Sequence, residues 1–65
     1  MLSQNQQNEA LKLAKFVVEN GRVESKGGKF NPASMEEEVG FEASERGHDA
    51  RTAQEMGRYA ARNSK

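Results

Sequence analysis

The large apolar side chains of this 65-residue chain concentrate in one stretch, Glu9 to Gly21, EALKLAKFVVENG. Ala10, Leu13, Phe16 and Val17 recur there at helical spacing, and Leu11, Ala14 and Val18 widen the stripe. This pattern predicts a helix over residues 6 to 20 whose apolar face seeds the core. The preceding residues 1 to 8 are rich in Gln and Asn and read as a frayed lead-in, with Ser3 or Asn5 as a cap. Asn20-Gly21 suits the helix end, because glycine accepts the left-handed conformation of a C-terminal cap. The same pair also favours a tight hairpin turn, which would set FVVE against RVES and bring Val18 near Val23. The continuous stripe from Ala10 to Val17 favours the helix, since strand-like alternation appears only beside the turn.

Beyond this segment the apolar positions thin out but keep a helical period. Met35, Val39 and Ala43 fall at i, i+4 and i+8, which predicts a helix over residues 32 to 46. Asn31-Pro32 opens it: asparagine caps, the residue before proline is pushed out of the helical region, and proline suits the first helical position. Ser34 with Glu37 offers a further capping box. Glu36, Glu37 and Glu38 then read as first-turn acids, where the positive end of the helix dipole favours carboxylates. Gly40 costs about 1 kcal/mol relative to alanine, so the helix is expected to be weak or broken near its middle. Phe41 lies off the seam, and either wraps into the core or stands exposed as a partner contact. Gly47 is a stop and Asp49 a cap for a third helix over residues 50 to 62. There Ala50, Ala53, Met56, Gly57 and Ala60 share a face of small residues, expected to pack tightly on the first helix with Met56 as the plug. The fold class is therefore all-α: a single small three-helix domain spanning residues 1 to 65. A flexible, glycine-rich basic loop at residues 22 to 30 follows the first helix, fastened at its ends by Val23 and Phe30.

Composition limits what such a domain can enclose. A chain of this length buries about 60% of its unfolded surface and is marginally stable. Mean hydropathy is −1.00 and 31% of residues are charged, close to the border at which a chain cannot bury enough apolar area to offset its ordering entropy. The retained helical period of the apolar seams predicts a cooperatively folded domain of low stability, completed by self-association or by its partner, in place of a disordered protectant. No cysteine is present, which removes disulfides and thiolate chemistry and points to a reducing, cytoplasmic home. The first residues carry no basic-then-apolar leader pattern, and no run approaches the roughly 20 apolar residues of a membrane span. No membrane association is expected.

The zero net charge is segmented. Residues 1 to 30 hold five basic and three acidic side chains, residues 31 to 45 hold five glutamates and no base, and residues 46 to 65 hold five basic and two acidic groups. The acidic middle is expected to lie beside the basic ends so that their fields cancel, with exposed pairs contributing about 0 to 1 kcal/mol each. Gly27-Gly28 between two lysines lacks the spacing and the strand-to-helix setting of a phosphate-binding loop. Three successive glutamates on a helix fan over about 200 degrees, which is unsuited to converging on a metal. His48 is the sole histidine and has no nucleophile or second base near it in sequence, so it reads as a turn residue with no chemical role.

These features lead away from catalysis and cofactors and toward a small regulatory, inhibitor or adaptor protein that binds another protein. The candidate surface is the acidic strip Glu37, Glu38, Glu42 and Glu45 around Phe41, an aromatic anchor ringed by charge. A homodimer is also compatible with the sequence. The alternative is nucleic-acid binding, in which Arg51, Gln54, Arg58 and Arg62 at i, i+3, i+7 and i+11 line one edge of the last helix while Lys26 and Lys29 contact phosphates.

Two resemblances bear on the alternatives. Met35 to Arg62 resembles a helix-turn-helix in outline, with Ala43 and Gly47 at that motif's spacing and Arg51, Gln54 and Arg58 at recognition positions, which implies a DNA-binding regulator. SKGGKF and HDARTAQEMGRYAARNSK are similar to repeats of KGG-type bacterial stress proteins and seed hydrophilins, which implies a stress protectant.

Overall fold

The computed structural model describes residues 1–25 and 28–64; Lys26 and Gly27 of the expected basic loop, and Lys65, lie outside them. Three helices account for the fold: α1 (Gln4–Glu19), α2 (Pro32–Glu45) and α3 (Ala50–Arg62), with no strand among the described residues. The all-α reading holds, and the hairpin at Asn20-Gly21 is excluded by the helix that runs up to it.

Local chemistry sets each helix start. Ser3 caps α1 in a reciprocal box: the Gln6 amide donates to the Ser3 hydroxyl at 3.1 Å, and the Ser3 amide donates to the Gln6 side-chain oxygen at 2.9 Å. The helix thus begins two residues before its expected start and takes in most of the polar lead-in. Asn31 caps α2 by accepting from the Ala33 and Ser34 amides, with Pro32 at the first position. Because Asn31 holds that role, Ser34 and Glu37 form no capping box. Glu36, Glu37 and Glu38 begin at the fifth helical residue and lie beyond the first turn, so the helix dipole is not what places them there. Asp49 caps α3 through the Thr52 amide at 3.2 Å, and that hydrogen bonding holds the Asp49 carboxyl below its ordinary range.

Both turns are built alike. After α1, the Gly21 amide donates to the Val18 carbonyl and the Arg22 amide to the Val17 carbonyl. After α2, the Gly47 amide donates to the Ser44 carbonyl and the His48 amide to the Ala43 carbonyl. These are paired 5→2 and 6→1 closures, and each needs a left-handed residue, supplied by Gly21 at φ 71° and Gly47 at φ 98°. Arg22 and His48 are therefore the first side chains to leave each turn, and both reach back to another helix.

The core is thin and shared by all three helices. Ala10, Leu13, Ala14 and Val17 of α1 meet Met35, Val39 and Ala43 of α2 and Ala53, Met56, Ala60 and Ala61 of α3, with Val23 closing one end. Val23 and Phe30 do fasten the connection, the first buried and the second packed against the core. Phe16 and Leu11, expected on the buried stripe, are instead 37% and 40% exposed. The stripe follows Ala10, Leu13, Ala14 and Val17 at i, i+3, i+4 and i+7, and Phe16 and Leu11 stand on its two flanks. Ala50, expected on the buried face of α3, is exposed as well.

The closest approach is between α2 and α3, not between α3 and α1 as the small-residue face suggested. A Cβ at Gly57 would collide with the Glu36 carbonyl oxygen and lie 3.3 Å from the Gly40 amide. One at Gly40 would meet the Ala53 carbonyl at an ordinary 3.5 Å. Gly40 does not break α2, which runs through it without interruption. It lies where the backbones of the two helices cross.

Candidate interaction surfaces

The expected acidic strip is drawn into a network with the turn that follows α1. Arg22, leaving the first turn, donates from Nε and Nη2 to Glu38 Oε1 at 2.8 and 2.6 Å, and from Nη1 to Glu42 Oε2. Arg46, at the end of α2, donates to Glu42 Oε1. Glu42 therefore bridges two guanidinium groups with its two oxygens, and its side chain is only 12% exposed. The hydrogen bonds from Arg22 and then Arg46 hold the Glu42 carboxyl below its ordinary range, and the same contact with Glu42, then Glu38, raises the Arg22 guanidinium. The expected cancellation of the acidic middle by basic flanks is thus realised at Glu38 and Glu42, and more loosely by Arg58 Nε at 3.6 Å from Glu36.

Each bridged arginine also covers an aromatic ring. The Arg22 guanidinium lies 5.7 Å from the centroid of Phe41, and that of Arg46 lies 5.3 Å from Phe16. Phe41 stays off the core and is 57% exposed. The α1–α2 face thus carries two exposed rings, each plated on one side by an arginine, with Glu42 fixing both plates. Of the strip named from sequence, Glu38, Phe41 and Glu42 come together here. Glu37 and Glu45 flank Phe41 along α2, are exposed, and make no ion pair among the described residues. Sequence reasoning missed Phe16, Arg22 and Arg46. Their only sequence signal is position, at the end of one helix and just after the terminating Asn-Gly or before the Gly47 stop.

The second set of candidates occupies another seam. Arg51, Gln54, Arg58 and Arg62 of α3 line one open groove between α3 and the start of α1, joined by Gln7 and Tyr59. Lys29 is exposed on the α1–α2 connection and does not line that groove, and Lys26 lies outside the described residues. Glu55 is the acid of the groove and sits 3.4 Å from the Met1 amino group.

His48 contributes a latch the sequence did not disclose. Its Nε2–H donates to Glu9 Oε1 at 3.0 Å, tying the α2–α3 turn to α1. Among the described residues, no group of three or more His, Cys, Asp or Glu is placed to hold a metal ion. No described helix is long and apolar enough to cross a membrane. Comparison with protein-family models, with curated proteins and with solved structures gives no match for this chain.

Proposed function

We propose that this chain is a small regulatory, inhibitor or adaptor protein that acts by binding another protein through its α1–α2 face. One observation carries the reading: Phe16 and Phe41 stand exposed, and each is stacked against an arginine that Glu42 or Glu38 holds in place. An aromatic ring in water is a poor use of apolar area in a domain with so small a core, and both rings stay partly open to solvent beside their arginines. Aromatic and arginine side chains are the residues that dominate binding energy at interface centres, most of all when they are already ordered. The flanking Glu37 and Glu45 give the rim an acidic excess. The complementary partner presents an apolar recess with lysine or arginine at its edges.

A photo-crosslinking residue placed at position 41, compared with the same residue at exposed Glu24, tests this directly. Position 41 is expected to give a discrete adduct that position 24 does not. With the captured protein in hand, Phe41→Ala is expected to weaken binding by at least about 2 kcal/mol while leaving the helical circular dichroism unchanged. Glu37→Lys with Glu45→Lys is expected to slow association and reverse its salt dependence. Equal labelling at the two positions, or an unchanged affinity for Phe41→Ala, refutes the reading. An adduct with a second copy of the chain would make the surface a homodimer interface.

A further inference from the structure

The arginines of this protein fall into two groups. Arg22 and Arg46 are committed to Glu38 and Glu42. Arg51 and Arg62 make no ion pair among the described residues, and Arg58 has only a 3.6 Å contact with Glu36 in which both side chains are largely exposed, at 53% and 40%. The uncommitted group is not scattered, because all three arginines line the groove between α3 and the start of α1. Arg51 is the second residue of α3, where the helix dipole disfavours a cation, with Asp49 beside it and Glu55 one turn on in the same groove as the nearby acids. A local choice that opposes helix stability and is not absorbed by a salt bridge is the kind that marks a functional position.

We infer that this groove binds a single-stranded nucleic acid, with Arg51, Arg58 and Arg62 on phosphates spread along the strand and Tyr59 as a stacking platform. The inference is independent of the protein-binding face, which lies on the α1–α2 seam. From Arg51 to Arg62 the helix rises about 16 Å, the length of four to five nucleotides stacked at ~3.4 Å each. Tyr59 stands one residue from Arg58, half-buried against the core and still part of the groove lining, so its ring is held in place while part of it meets solvent. Aromatic rings set among cations in a groove are the combination that holds single strands without reading their sequence. Gln7 and Gln54 add amides able to donate to and accept from base edges.

The groove lining favours a single strand over a duplex, because Tyr59 offers a ring on which an unpaired base can stack. Arg58 and Arg62 line the α1–α3 groove and also the depression against Pro32 and Glu36 of α2. These arginines of α3 thus stand on the rim between two depressions. A single strand, being narrow and flexible, can follow a channel of this kind. Lys29, which would have served as a phosphate contact for a bound duplex, does not line it.

Fluorescence anisotropy with short labelled single strands of one mixed sequence, made as DNA and as RNA, tests the proposal on the full chain. Both strands are expected to bind at low salt. Three phosphate contacts at about 0.7 released counterions each give a roughly twentyfold loss of affinity between 50 and 200 mM salt. Arg51→Gln with Arg62→Gln is expected to remove binding, Arg51→Lys with Arg62→Lys to keep most of it, and Tyr59→Leu to lower it by about five- to 150-fold, the range of one stacked base. Phe41→Ala is expected to leave it intact. Circular dichroism of each variant establishes that the helices persist. Absence of binding to both strands at low salt, full binding by the glutamine double variant, or equal affinity for the corresponding duplex overturns the proposal. Displacement by a polyglutamate peptide at matched charge also overturns it, and would assign the groove to an acidic protein segment.

Discussion

Gly40 and Gly57 sit at the same helix crossing, yet an added methyl group meets different surroundings at each. At Gly57 it runs into the Glu36 carbonyl, part of a helix backbone that cannot turn aside. At Gly40 it makes an ordinary contact and removes the conformational freedom that glycine brings to the unfolded chain. Gly40→Ala is therefore expected to stabilise the protein by about 0.5 to 1 kcal/mol, and Gly57→Ala to destabilise it by about 1 to 3 kcal/mol or more. Urea midpoints of the two variants check the opposed signs. Glu42 yields a second expectation at this scale. Its folded-state carboxyl lies below the ordinary value of 4.5, so the unfolded chain takes up its proton first as the solution is acidified. The stabilisation from the Arg22–Glu42–Arg46 bridge is thus complete above about pH 4.5 and is lost as pH falls through the lowered value. Glu42→Gln is expected to be less stable at neutral pH and to show a smaller decline below pH 4.5, read from thermal melts across that range.

The helices themselves were largely written in local chemistry. Asn31-Pro32, Asp49, Gly21 and Gly47 act on backbone groups within a few residues, so sequence adjacency was enough to find them, and the ends of α2 and α3 fall within one residue of expectation. What could not be read is which flank of a stripe faces a neighbour. Phe16 and Val17 are adjacent and both apolar, but only the crossing of three helices decides that Val17 is buried and Phe16 meets Arg46. The candidate strip was legible as a run of acids around an aromatic. Its second ring and both arginines were not, because the pairing of Arg22 with Glu38 and Glu42 spans the whole α1–α2 connection. The glycine caps supply the prediction at the scale of an element. Gly21→Ala meets no neighbour but must hold φ near 71°, at a cost of about 1 to 2 kcal/mol. Because Arg22 leaves the turn from that glycine, the variant is expected to weaken the cover on Phe41 too, seen as a change in the chemical shifts of the Phe41 ring protons.

Taken whole, the three helices form a domain with a radius of gyration of 10.6 Å, close to the roughly 10.7 Å of a compact chain of this length. Two of its interhelical seams carry the proposed binding surfaces, the paired rings between α1 and α2 and the arginine groove between α1 and α3. The third is drawn tight at the glycine crossing of α2 and α3. That crossing has a kinetic consequence. It joins helices linked by a short turn at Arg46–Asp49, so the most extensive contact in the molecule is reached by closing a short loop at small entropic cost. Helix α1 must close the longer connection from Asn20 to Asn31 before Leu13 and Val17 are covered. The α2–α3 pair is therefore expected to form the folding nucleus, with α1 the last element to dock. Rates measured in denaturant are expected to separate the two. Val39→Ala should chiefly slow refolding, whereas Val17→Ala should chiefly speed unfolding, and the reverse assignment would place the nucleus at α1.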